Sequence, residues 1–540
     1  MKFPAALTIF VIGLQIIICN AEYFSSTTGL EQLLRTEVIL LAELQNYVNE
    51  ITEHAEMLQS EINAIQAEHL SAADSIEGYL NNPVNAFRLI KRLHSDWETF
   101  ESNVEQDASR KNYLEAMARH KENLSHPTLE DFTGTALAMT RLQQTYQLDV
   151  RELASGMLNG VKYGAAMSWQ DCFVLGQQLY VMQDFNNTVP WLQQSMQLLV
   201  QQSYGKESAS LDFMETVMGY HESMGDYQNA IHLINHVLAV QPEQRLHLLE
   251  TRAHLEQLIS DGVKRGLMHE VARSPDDYHS SNEYHMYQQV CREELKPEPA
   301  TQRKLRCRLH RGNGLRSSYQ PYRLEELHLD PYVIQVHDII SAEETIVLQQ
   351  LARPELQRSM VYSLSNSEHI STNFRISQGT FFEYHEHPIM QRMSQHLENI
   401  SGLDMRSAEQ LQVANYGIGG HYEPHMDSFS ENHNYGINTY MSTNRVATGI
   451  YYLSNVEAGG GTAFPFLPLL VEPERGSLLF WYNLHRSGDL DYRTKHAGCP
   501  VLMGSKWIAN VWIRLSNQDH IRPCDLQRDH EISLPYKDFK

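Results

Sequence analysis

One short segment of this chain combines residue types that can hold a metal ion. It runs from position 416 to 427 and ends in His425, Met426 and Asp427. Residues two apart on a β-strand project from the same face, so His425 and Asp427 can present an imidazole and a carboxylate to one ion. Two histidines and one carboxylate form the facial triad of non-haem iron(II) oxygenases, which leaves coordination positions open for a cosubstrate and O2. The segment therefore predicts an iron site that needs one further histidine.

His496 is the best candidate for the third ligand, which we expect downstream on a strand that returns beside the first. Lys506 follows it ten positions later, at the edge of the next predicted strand. In an iron oxygenase such a lysine can bind the far carboxylate of 2-oxoglutarate while the keto-acid end chelates the metal. The alternative, a solvated surface lysine, is disfavoured by the apolar run that begins at Trp507. The rival histidines are His433, in the loop after the first strand, His485, in a turn, and His520, which has no Lys or Arg at that offset.

Short apolar segments separated by glycine-rich turns surround these residues. Repeated strands without intervening helices predict an antiparallel sandwich or jelly roll. Ahead of most of them, Ser341-x-x-Glu344 forms a capping box that opens a helix. The predicted strands cover positions 333–336, 411–416, 448–453, 478–481 and 508–515.

Residues 165–245 have the pattern of helical hairpins. The stretch Gly225-Asp226-Tyr227, with the small and large residues after it, matches a tetratricopeptide repeat, and an earlier hairpin around Gly176 resembles it loosely. Proline-rich ligands dock on aromatic-lined surfaces, which predicts a groove for an extended peptide. The alternative is that the tyrosines pack between helices. The candidate groove residues are Tyr180, Tyr220 and Tyr227.

Apolar residues between positions 30 and 65 follow a heptad register that only Glu37 breaks. A seam of about five heptads predicts a coiled coil, whose function would be dimerisation. The alternative is a long helix folded back on a partner within the chain. One core position comprises Leu34, Leu41, Val48, Ala55 and Ile62, and the other comprises Leu30, Leu44, Ile51, Leu58 and Ile65.

The first 21 residues have the composition of a secretory signal peptide. Lys2 precedes a short apolar run, and Ala21 precedes a polar stretch, which predicts cleavage after Ala21. A transmembrane anchor is the weaker alternative, because the run is short and lacks a positive stop-transfer cluster. No other segment has the roughly 20 apolar residues that span a bilayer, so we expect no stable membrane anchor. The formal net charge of -23 argues against a nucleic-acid partner held by phosphate contacts.

Five cysteines remain after that cleavage, and an oxidising compartment favours their pairing. Four of them could close two local loops, Cys291–Cys307 and Cys499–Cys524, which leaves Cys172 free. No Cys/His spacing suits a structural zinc site. N-x-S/T sequons, which agree with passage through the endoplasmic reticulum, occur at Asn123, Asn186 and Asn399.

Four segments, at positions 416–427, 444–464, 480–484 and 496–512, resemble in order the catalytic domain of collagen prolyl 4-hydroxylase alpha subunits. The likeness extends over most of the chain. It implies that His425, Asp427 and His496 bind iron(II), that Lys506 holds the 2-oxoglutarate carboxylate, and that Tyr416 approaches the cosubstrate.

The same resemblance implies the reaction and the assembly. Family members use O2 and 2-oxoglutarate to hydroxylate C4 of proline in X-Pro-Gly of collagen-like peptides, release succinate and CO2, and use L-ascorbate to restore iron(II). Their enzyme is an α2β2 tetramer in the endoplasmic reticulum lumen, with protein disulfide isomerase as the beta subunit that supplies retention. The C-terminal pentapeptide of this chain, residues 536–540, is not a KDEL-type signal, which agrees with retention by a partner.

Several positions depart from the family's usual pattern. Met426 and Ser428 replace aromatics beside the metal carboxylate, Gly449 stands for a bulky residue and Val511 for a lysine. We expect these residues near the substrate entrance, which leaves a preference for long (Pro-Pro-Gly) polymers open. An oxygenase of the same fold acting on lysine or on C3 of proline is one alternative, against which the peptide-binding repeat argues. A non-catalytic collagen-binding subunit is another, against which the intact ligand set and Lys506 argue.

These inferences combine into a multidomain architecture. We expect an all-α N-terminal half, with a coiled coil and tetratricopeptide-like hairpins, followed by a double-stranded β-helix (jelly-roll) catalytic domain with flanking helices. The expected units are a signal peptide (1–21), a helical dimerisation region (22–155), a tetratricopeptide-like peptide-binding domain (156–262), a linker with a local disulfide (263–325) and an Fe(II)/2-oxoglutarate dioxygenase domain (326–540).

Overall fold

The computed structural model describes residues 26–50, 55–73, 75–104, 110–158, 160–162, 164–202, 207–240, 246–262, 278–312, 320–363, 368–370, 374–429 and 444–525. The predicted signal peptide, the rival His433 and the C-terminal pentapeptide lie outside the described residues. Within them, no helix combines the length and the apolar character that crossing a membrane requires.

The first part of the chain is helical, and polar caps define where several helices begin. Asn82 accepts hydrogen bonds from the backbone at the start of one helix, with Pro83 in its first position, and Thr128 forms a capping box with Asp131 at the start of another. The helices are α1 (Thr27–Glu50), α2 (Ala55–Ala73), α3 (Ile76–Leu80), α4 (Pro83–Lys91), α5 (Trp97–Val104), α6 (Arg110–Asn123), α7 (Leu129–Tyr146) and α8 (Val150–Ala154), with a π-helical turn at Arg92–Asp96 between α4 and α5.

The heptad residues of α1 and α2 pack inside the chain. The two helices contact each other, and α1 also contacts α3, α4 and α6. Seven of the described seam residues are buried in one core with residues of α4 and α7, such as Phe87 and Met139, and Leu41 packs against this core while partly buried. This is the intramolecular alternative of the sequence analysis, and dimerisation stays a prediction. The buried seam residues are Leu30, Leu34, Leu44, Val48, Leu58, Ile62 and Ile65.

Glu37, which breaks the heptad pattern, is fully buried in an ion network. The Arg92 guanidinium donates to both of its carboxylate oxygens at 2.5 and 3.1 Å and to Glu68 at 2.6 Å. His69 Nε2 lies 2.9 Å from the same carboxylate. Burial alone would raise the pKa of Glu37, but the charge and hydrogen bonds of Arg92 and His69 outweigh it and hold the pKa at about 2. The guanidinium of Arg92 therefore explains why a glutamate can occupy a position in the apolar seam.

A second helical group follows, consisting of antiparallel hairpins. Gly225 turns the chain between two of its helices with φ 85°, and Gly176 lets Leu192 approach where a Cβ would lie only 2.9 Å away. These contacts agree with the predicted tetratricopeptide-like pattern. The elements are a short hairpin of β1 (Met157–Leu158) and β2 (Val161–Lys162), then α9 (Trp169–Val181), α10 (Phe185–Gln202), α11 (Glu207–Met224), α12 (Tyr227–Val240) and α13 (His247–Ser260).

The start of α9 is held by buried charges on α4. Asp171 lies 3.2 Å from Lys91 Nζ and 3.4 Å from Arg88 Nε, and it also closes a capping box with Ser168. Burial opposes ionisation, but these cations and hydrogen bonds lower the pKa of Asp171. The two helical groups are therefore joined by ion pairs as well as by apolar contacts.

The C-terminal domain is built mainly from strands. Among the residues that the structure describes, three longer helices accompany them: α14 (Asn282–Cys291), α16 (Ala342–Ala352), which begins with the predicted Ser341/Glu344 capping box, and α17 (Pro388–Ser401); α15 (Pro299–Gln302) is a single turn. The strands are β3 (Cys307–His310), β4 (Tyr322–Leu329), β5 (Tyr332–His337), β6 (Gln357–Arg358), β7 (Val361–Ser363), β8 (Glu368–Ile370), β9 (Arg375–Ile376), β10 (Gln378–Phe382), β11 (Leu411–Tyr416), β12 (His421–His425), β13 (Arg445–Tyr452), β14 (Ala458–Gly459), β15 (Thr462–Phe464), β16 (Leu469–Val471), β17 (Leu478–Tyr482), β18 (His496–Gly498), β19 (Val501–Met503) and β20 (Lys506–Arg514).

Two antiparallel sheets face each other across an apolar layer. In the described part of the chain the larger sheet has the order β3-β4-β5-β17-β13-β20-β11-β10-β6 and the smaller one β16-β15-β18-β12-β9. Residues of both sheets, among them Trp481 and Phe464, share one core. The outer face of the larger sheet packs against α16 and α17 through residues such as Leu348 and Met393. The predicted fold class, a helical half followed by a jelly roll with flanking helices, is confirmed.

Two of the positions that depart from the family pattern lie away from the space between the sheets. Gly449 and Val511 are direct cross-strand partners on β13 and β20. A Cβ on Gly449 would lie 3.2 Å from Leu397 of α17, and Val511 is fully buried in the core beneath that helix. The expectation that these two residues lie near a substrate entrance is therefore wrong, since they pack on the opposite face of the sheet.

The disulfide pattern also differs from the expectation. Cys291 at the end of α14 is bonded to Cys499, which lies just after β18 and 208 residues further along the chain. Cys307 and Cys524 are exposed free thiols, and Cys172 is a buried one. The two predicted local loops are wrong because α14 packs on β15 and β16, which brings Cys291 to the smaller sheet. The disulfide thus joins the predicted linker to the smaller sheet and does not close a loop within the linker. The predicted domain boundaries stay predictions.

Replacement of Glu37 by Gln should lower the free energy of unfolding by roughly 3 kcal/mol at pH 7, because a buried guanidinium loses one of its carboxylates. The folded-state pKa is depressed to about 2 from 4.5, so the contribution is fully present above pH 4.5 and is lost as the pH falls towards 2. Urea unfolding followed by circular dichroism at pH 7 and pH 3.5 should therefore show a smaller difference at pH 3.5.

A matched control is Glu43→Gln on the same helix. Glu43 pairs with His120 at 2.9 Å and is partly exposed, so its replacement should cost less than about 1 kcal/mol. Equal losses of unfolding free energy in the Glu37→Gln and Glu43→Gln variants would show that the buried ion network contributes no more than a partly exposed ion pair.

Candidate active site

The pairing of β12 with β18 brings the predicted metal ligands together. His425 and His496 are direct cross-strand partners in this antiparallel pair, and Asp427 follows two residues after His425, just beyond the strand end. Asp427 Oδ1 lies 3.8 Å from His425 Nε2, and its Oδ2 lies 3.6 Å from His496 Nε2. One atom from each residue lies within 4.8 Å of the others. The expectation that the third histidine returns beside the first strand is met.

Backbone carbonyls orient both imidazoles. His425 Nδ1 donates to the Glu423 carbonyl at 2.8 Å, and His496 Nδ1 donates to the Thr494 carbonyl at 3.1 Å. Because a carbonyl only accepts, each ring carries its proton on Nδ1 and turns the Nε2 lone pair towards Asp427. Burial, and then the neighbouring His496, lowers the pKa of His425 to about 3, and burial lowers that of His496. Both rings are neutral and free to ligate at physiological pH.

The carboxylate of Asp427 is fixed by a chain of buried hydrogen bonds. Thr448 donates to Asp427 Oδ2 at 2.7 Å, Asn483 donates to the Thr448 hydroxyl at 2.9 Å, and the Trp481 indole donates to Asn483 at 2.8 Å. Arg445 Nη1 lies 3.9 Å from Asp427 Oδ1. The carboxylate thus keeps one oxygen bonded to the protein while the other faces His425.

The charge state of Asp427 follows from its neighbours. Burial alone would raise its pKa, but His496, His425 and Arg445, with the Thr448 hydrogen bond, outweigh burial and hold the pKa at about 2. Two neutral imidazoles and one ionised carboxylate are the donor set that a ferrous ion accepts in facial-triad oxygenases. The residues present therefore fit the metal that the sequence predicts.

Lys506 lies in the same cavity as the three candidate ligands, as does its cross-strand partner Tyr416. Its Nζ lies 3.5 Å from the Thr462 hydroxyl and 5.8 Å from the centre of the Tyr416 ring. Burial lowers the pKa of Lys506 to about 7, although Glu472 opposes this shift. The side chain is 4% exposed, which excludes the solvated surface lysine that the sequence left as an alternative.

The sequence did not predict several residues that line the cavity. The Tyr422 ring stacks on His425 with centroids 3.5 Å apart and planes at 17°, and the Arg375 guanidinium lies 4.8 Å above Tyr422. A register shift between Tyr422 and His425 upsets the alternation that assigns strand faces, so no period-two pattern marks Tyr422. Arg375 comes from β9, far away in sequence, and only the folded sheet places it here.

Comparison with known proteins covers almost the whole chain. Residues 26–160 match the family model described as Prolyl 4-Hydroxylase alpha-subunit, N-terminal region, and residues 411–514 match that of the 2OG-Fe(II) oxygenase superfamily. The chain is 32% identical to prolyl 4-hydroxylase subunit alpha-1 of Rattus norvegicus, over 96% of its own length and 98% of that protein. The chain belongs to the prolyl 4-hydroxylase alpha-subunit family. A second member, subunit alpha-2 of Gallus gallus, is 32% identical over 97% of this chain and 99% of its own.

Membership of the prolyl 4-hydroxylase alpha-subunit family confirms the resemblance seen in the sequence. The chain is a 2-oxoglutarate-dependent dioxygenase with Fe(II), 2-oxoglutarate and O2 as its cofactor and cosubstrates, and ascorbate is typical of this family. Among solved structures, the viral collagen prolyl hydroxylase of Paramecium Bursaria Chlorella virus-1 matches 34% of this chain and 95% of its own, at 27% identity and a TM-score of 0.28.

The three tyrosines predicted to line a peptide groove have different surroundings. Tyr180 of α9 and Tyr220 of α11 form an edge-to-face pair with centroids 4.9 Å apart, and both are partly exposed. Phe173 and Phe213 extend this aromatic row along the two helices. Tyr227 is buried in the core of the hairpins, so the packing alternative holds for it and its assignment to the groove is wrong.

The predicted glycosylation sites also differ in accessibility. Asn123 is exposed at the end of α6, and Asn186 is exposed in the first turn of α10. Asn399 is half-buried on α17 and packs against Gly312. Glycosylation of the three sequons stays a prediction, and the first two positions leave room for it.

Replacement of Lys506 by Ala should raise the 2-oxoglutarate concentration needed for half-maximal turnover. The loss of a charge-assisted pair in a buried site corresponds to roughly a tenfold to hundredfold increase. The iron requirement should change little, because Lys506 contacts none of the three candidate ligands directly. Steady-state kinetics with each component varied in turn measures both, with Lys296→Ala, an exposed lysine paired with Glu293, as the control. Equal effects on iron and 2-oxoglutarate would show that Lys506 is structural.

Proposed function

We propose that this chain is the catalytic subunit of an enzyme that hydroxylates proline at C4 in X-Pro-Gly sequences of collagen-like peptides. Each turnover would consume O2 and 2-oxoglutarate and release succinate and CO2. The observation that carries the proposal is a single cavity lined by two imidazoles, one carboxylate and a buried lysine. This cavity lies in a chain that is related over nearly its full length to prolyl 4-hydroxylase alpha subunits.

The proposed roles follow from the geometry. His425, Asp427 and His496 would hold the iron, and Lys506 would receive the far carboxylate of 2-oxoglutarate. Bound iron supplies the activation of O2 and the oxidative decarboxylation of the cosubstrate. The protein's own contribution is to keep both imidazoles neutral and Asp427 ionised, and to shield Asp427 and His496 from bulk water. Tyr416, 5.8 Å from Lys506 Nζ, would border the cosubstrate.

An aromatic surface beside the metal site suits a proline ring. Tyr422 stacks on His425, and Phe374 lies nearly parallel to Tyr422 with centroids 6.4 Å apart. Phe374 is 39% exposed, so the aromatic surface reaches from the solvent to the candidate iron ligands. Proline-rich chains dock on aromatic side chains because their extended conformation is preformed, which supports a prolyl substrate.

The aromatic row on α9 and α11 supports a second site for the peptide. It presents Tyr180, Tyr220, Phe173 and Phe213 on neighbouring helices, and polar groups lie among the rings. Gln177 donates to the Tyr220 hydroxyl at 2.7 Å, which fixes that ring at the surface. We assign this row to binding of a proline-rich segment outside the catalytic cavity.

The assembly and the compartment are part of the proposal. The predicted secretory signal peptide, the N-glycosylation sequons and the disulfide support the endoplasmic reticulum lumen as the site of action. Protein disulfide isomerase, as the beta subunit of an α2β2 tetramer, would supply lumenal retention.

The direct test is product analysis with the full chain co-expressed with protein disulfide isomerase. Addition of a (Pro-Pro-Gly) peptide should stimulate succinate release from labelled 2-oxoglutarate, and mass spectrometry should find 4-hydroxyproline. His425→Ala and Asp427→Ala should abolish both signals, while His485→Ala, a rival histidine in a turn outside the cavity, should retain them. 3-Hydroxyproline as the product, hydroxylysine formed instead from a lysine-containing collagen-like peptide, or peptide binding without turnover would overturn the proposal.

The peptide site has a separate test in Tyr180→Ala. Loss of one aromatic contact of roughly 0.5–1.5 kcal/mol should raise the KM for a long (Pro-Pro-Gly) peptide by about twofold to tenfold. The kcat and the KM for 2-oxoglutarate should stay the same, because α9 is not part of the catalytic cavity. Val181→Ala, at the next and more exposed position of α9, is the control. A loss confined to kcat would argue that the tyrosine only stabilises the fold.

A further inference from the structure

The N-terminal helices pack against one end of the catalytic domain. Their apolar core, formed mainly by residues of α1 to α9, also contains Ile376, Ile418, Leu502 and Met503. These four residues belong to β9, to the turn between β11 and β12, and to β19. Those segments adjoin the strands that carry Tyr416, His425, His496 and Lys506. The helical region is therefore in contact with the framework of the catalytic cavity.

The most direct of these contacts joins the start of α1 to the start of β20. The Thr27 and Ser505 hydroxyls form a buried hydrogen bond of 3.0 Å across a sequence separation of 478 residues. Asn415 Nδ2 donates to the same Ser505 hydroxyl at 2.8 Å, and Ser454 donates to the Ser505 carbonyl at 2.7 Å. Ser505 immediately precedes Lys506. The backbone that supports the cosubstrate-binding lysine is thus held from three sides, one of which is the N-terminal region.

Neighbouring contacts hold the turn between β11 and β12 in the same way. A Cβ on Gly417 would lie 2.8 Å from Ser26, and one on Gly419, which has φ 69°, would lie 2.6 Å from Ala138 of α7. Arg141 of α7 donates to the Gly419 carbonyl at 3.1 Å. Glycine is needed at both positions because the helices approach the backbone too closely for a side chain.

A third contact reaches the turn that follows His496. The Tyr146 hydroxyl at the end of α7 donates to the Pro500 carbonyl at 2.5 Å. Gly459 makes room for this ring, since a Cβ there would lie 2.5 Å from the Tyr146 hydroxyl. Three separate loops of the catalytic domain are therefore fitted to the helical region, and each adjoins an element of the proposed iron and 2-oxoglutarate site.

We infer that Thr27 is a positioning residue for 2-oxoglutarate binding, acting through Ser505 on Lys506. The inference rests on the proposed function, in which Lys506 receives the cosubstrate carboxylate. The lysine has a flexible four-carbon stem, and the Thr462 hydroxyl, 3.5 Å from Nζ, is a distant partner. Its direction depends on where β20 begins. If the backbone at the start of β20 is held rigidly, the Lys506 side chain loses less conformational entropy when it pairs with the 2-oxoglutarate carboxylate. Binding of 2-oxoglutarate is therefore tighter.

The test uses Thr27→Val, which removes the hydroxyl and keeps the shape, and Thr27→Ser, which keeps the hydroxyl. Loss of one buried hydrogen bond that supports Lys506 should raise the KM for 2-oxoglutarate in the Val variant by roughly three- to tenfold. The kcat, the KM for the peptide and the iron requirement should stay the same. The Ser variant should restore the parental KM.

Thr28→Val is a matched control for this experiment. It makes the same chemical change one residue further along α1, at a hydroxyl that has no hydrogen-bond partner among the described residues. Its KM for 2-oxoglutarate should equal that of the parent. An increase in the control as large as that of Thr27→Val would show that the substitutions act only through the stability of α1, and would overturn the inference.

A binding measurement separates this inference from the proposed function. N-oxalylglycine, an unreactive analogue of 2-oxoglutarate, is titrated into the complex with protein disulfide isomerase, loaded with Mn²⁺ in place of iron, and followed by calorimetry. The Thr27→Val complex should bind it roughly three- to tenfold more weakly than the parent. Equal binding by parent and variant would overturn the inference about Thr27 and would leave the proposed function intact. A parent complex that binds none of the analogue would instead contradict the proposed function.

The coupling of Thr27 to Ser505 can be measured by a double-mutant cycle. If Thr27 acts through Ser505, the increase in KM caused by Thr27→Val should largely vanish in a Ser505→Ala background. Additive effects of the two substitutions on the KM would show that Thr27 acts by another route and would overturn the inference.

Discussion

The antiparallel pairing of β12 with β18 is the interaction on which the catalytic site depends. It places His425 opposite His496, and the chain then needs only two more residues to bring a carboxylate between them. Each imidazole is oriented by a carbonyl of its own segment, and Asp427 is oriented by the hydroxyl of Thr448 on the facing sheet. A shift of this register by one residue would turn one histidine away from the other, so the smaller sheet has little freedom to vary.

Buried charges are compensated in different ways in the two halves of the chain. In the helical half, Glu37 is compensated by Arg92, and Asp171 by Lys91, so these ions are paired within the protein. In the catalytic half, Asp427 and Lys506 line one cavity, and in the proposed function their counter-charges would be the metal ion and the far carboxylate of 2-oxoglutarate. Burial lowers the pKa of Lys506 to about 7, and an anion bound beside the ammonium group would raise it again.

The sequence predicted the features that are local or periodic. The spacing of His425 and Asp427, the strand that carries Lys506 and the Ser341/Glu344 capping box all depend on neighbours within a few residues. The disulfide of Cys291 could not be inferred because its partner lies 208 residues away and is chosen by the docking of α14 on the smaller sheet. Tyr422 was missed because a register shift hides it from strand alternation. The heptad seam predicted apolar contact correctly but could not say whether the partner helix belongs to the same chain.

The hydrogen bond between Thr27 and Ser505 spans nearly the whole chain, and this has a consequence for biosynthesis. At translation rates of about 5–20 residues per second, the first helix waits roughly 25–100 seconds before the strand that it touches has been made. During that interval the part of the helical core that Ile418 and Leu502 later complete has no catalytic domain to cover it. The nascent protein therefore exposes an apolar face, and a chaperone that shields this face would govern the yield of active enzyme.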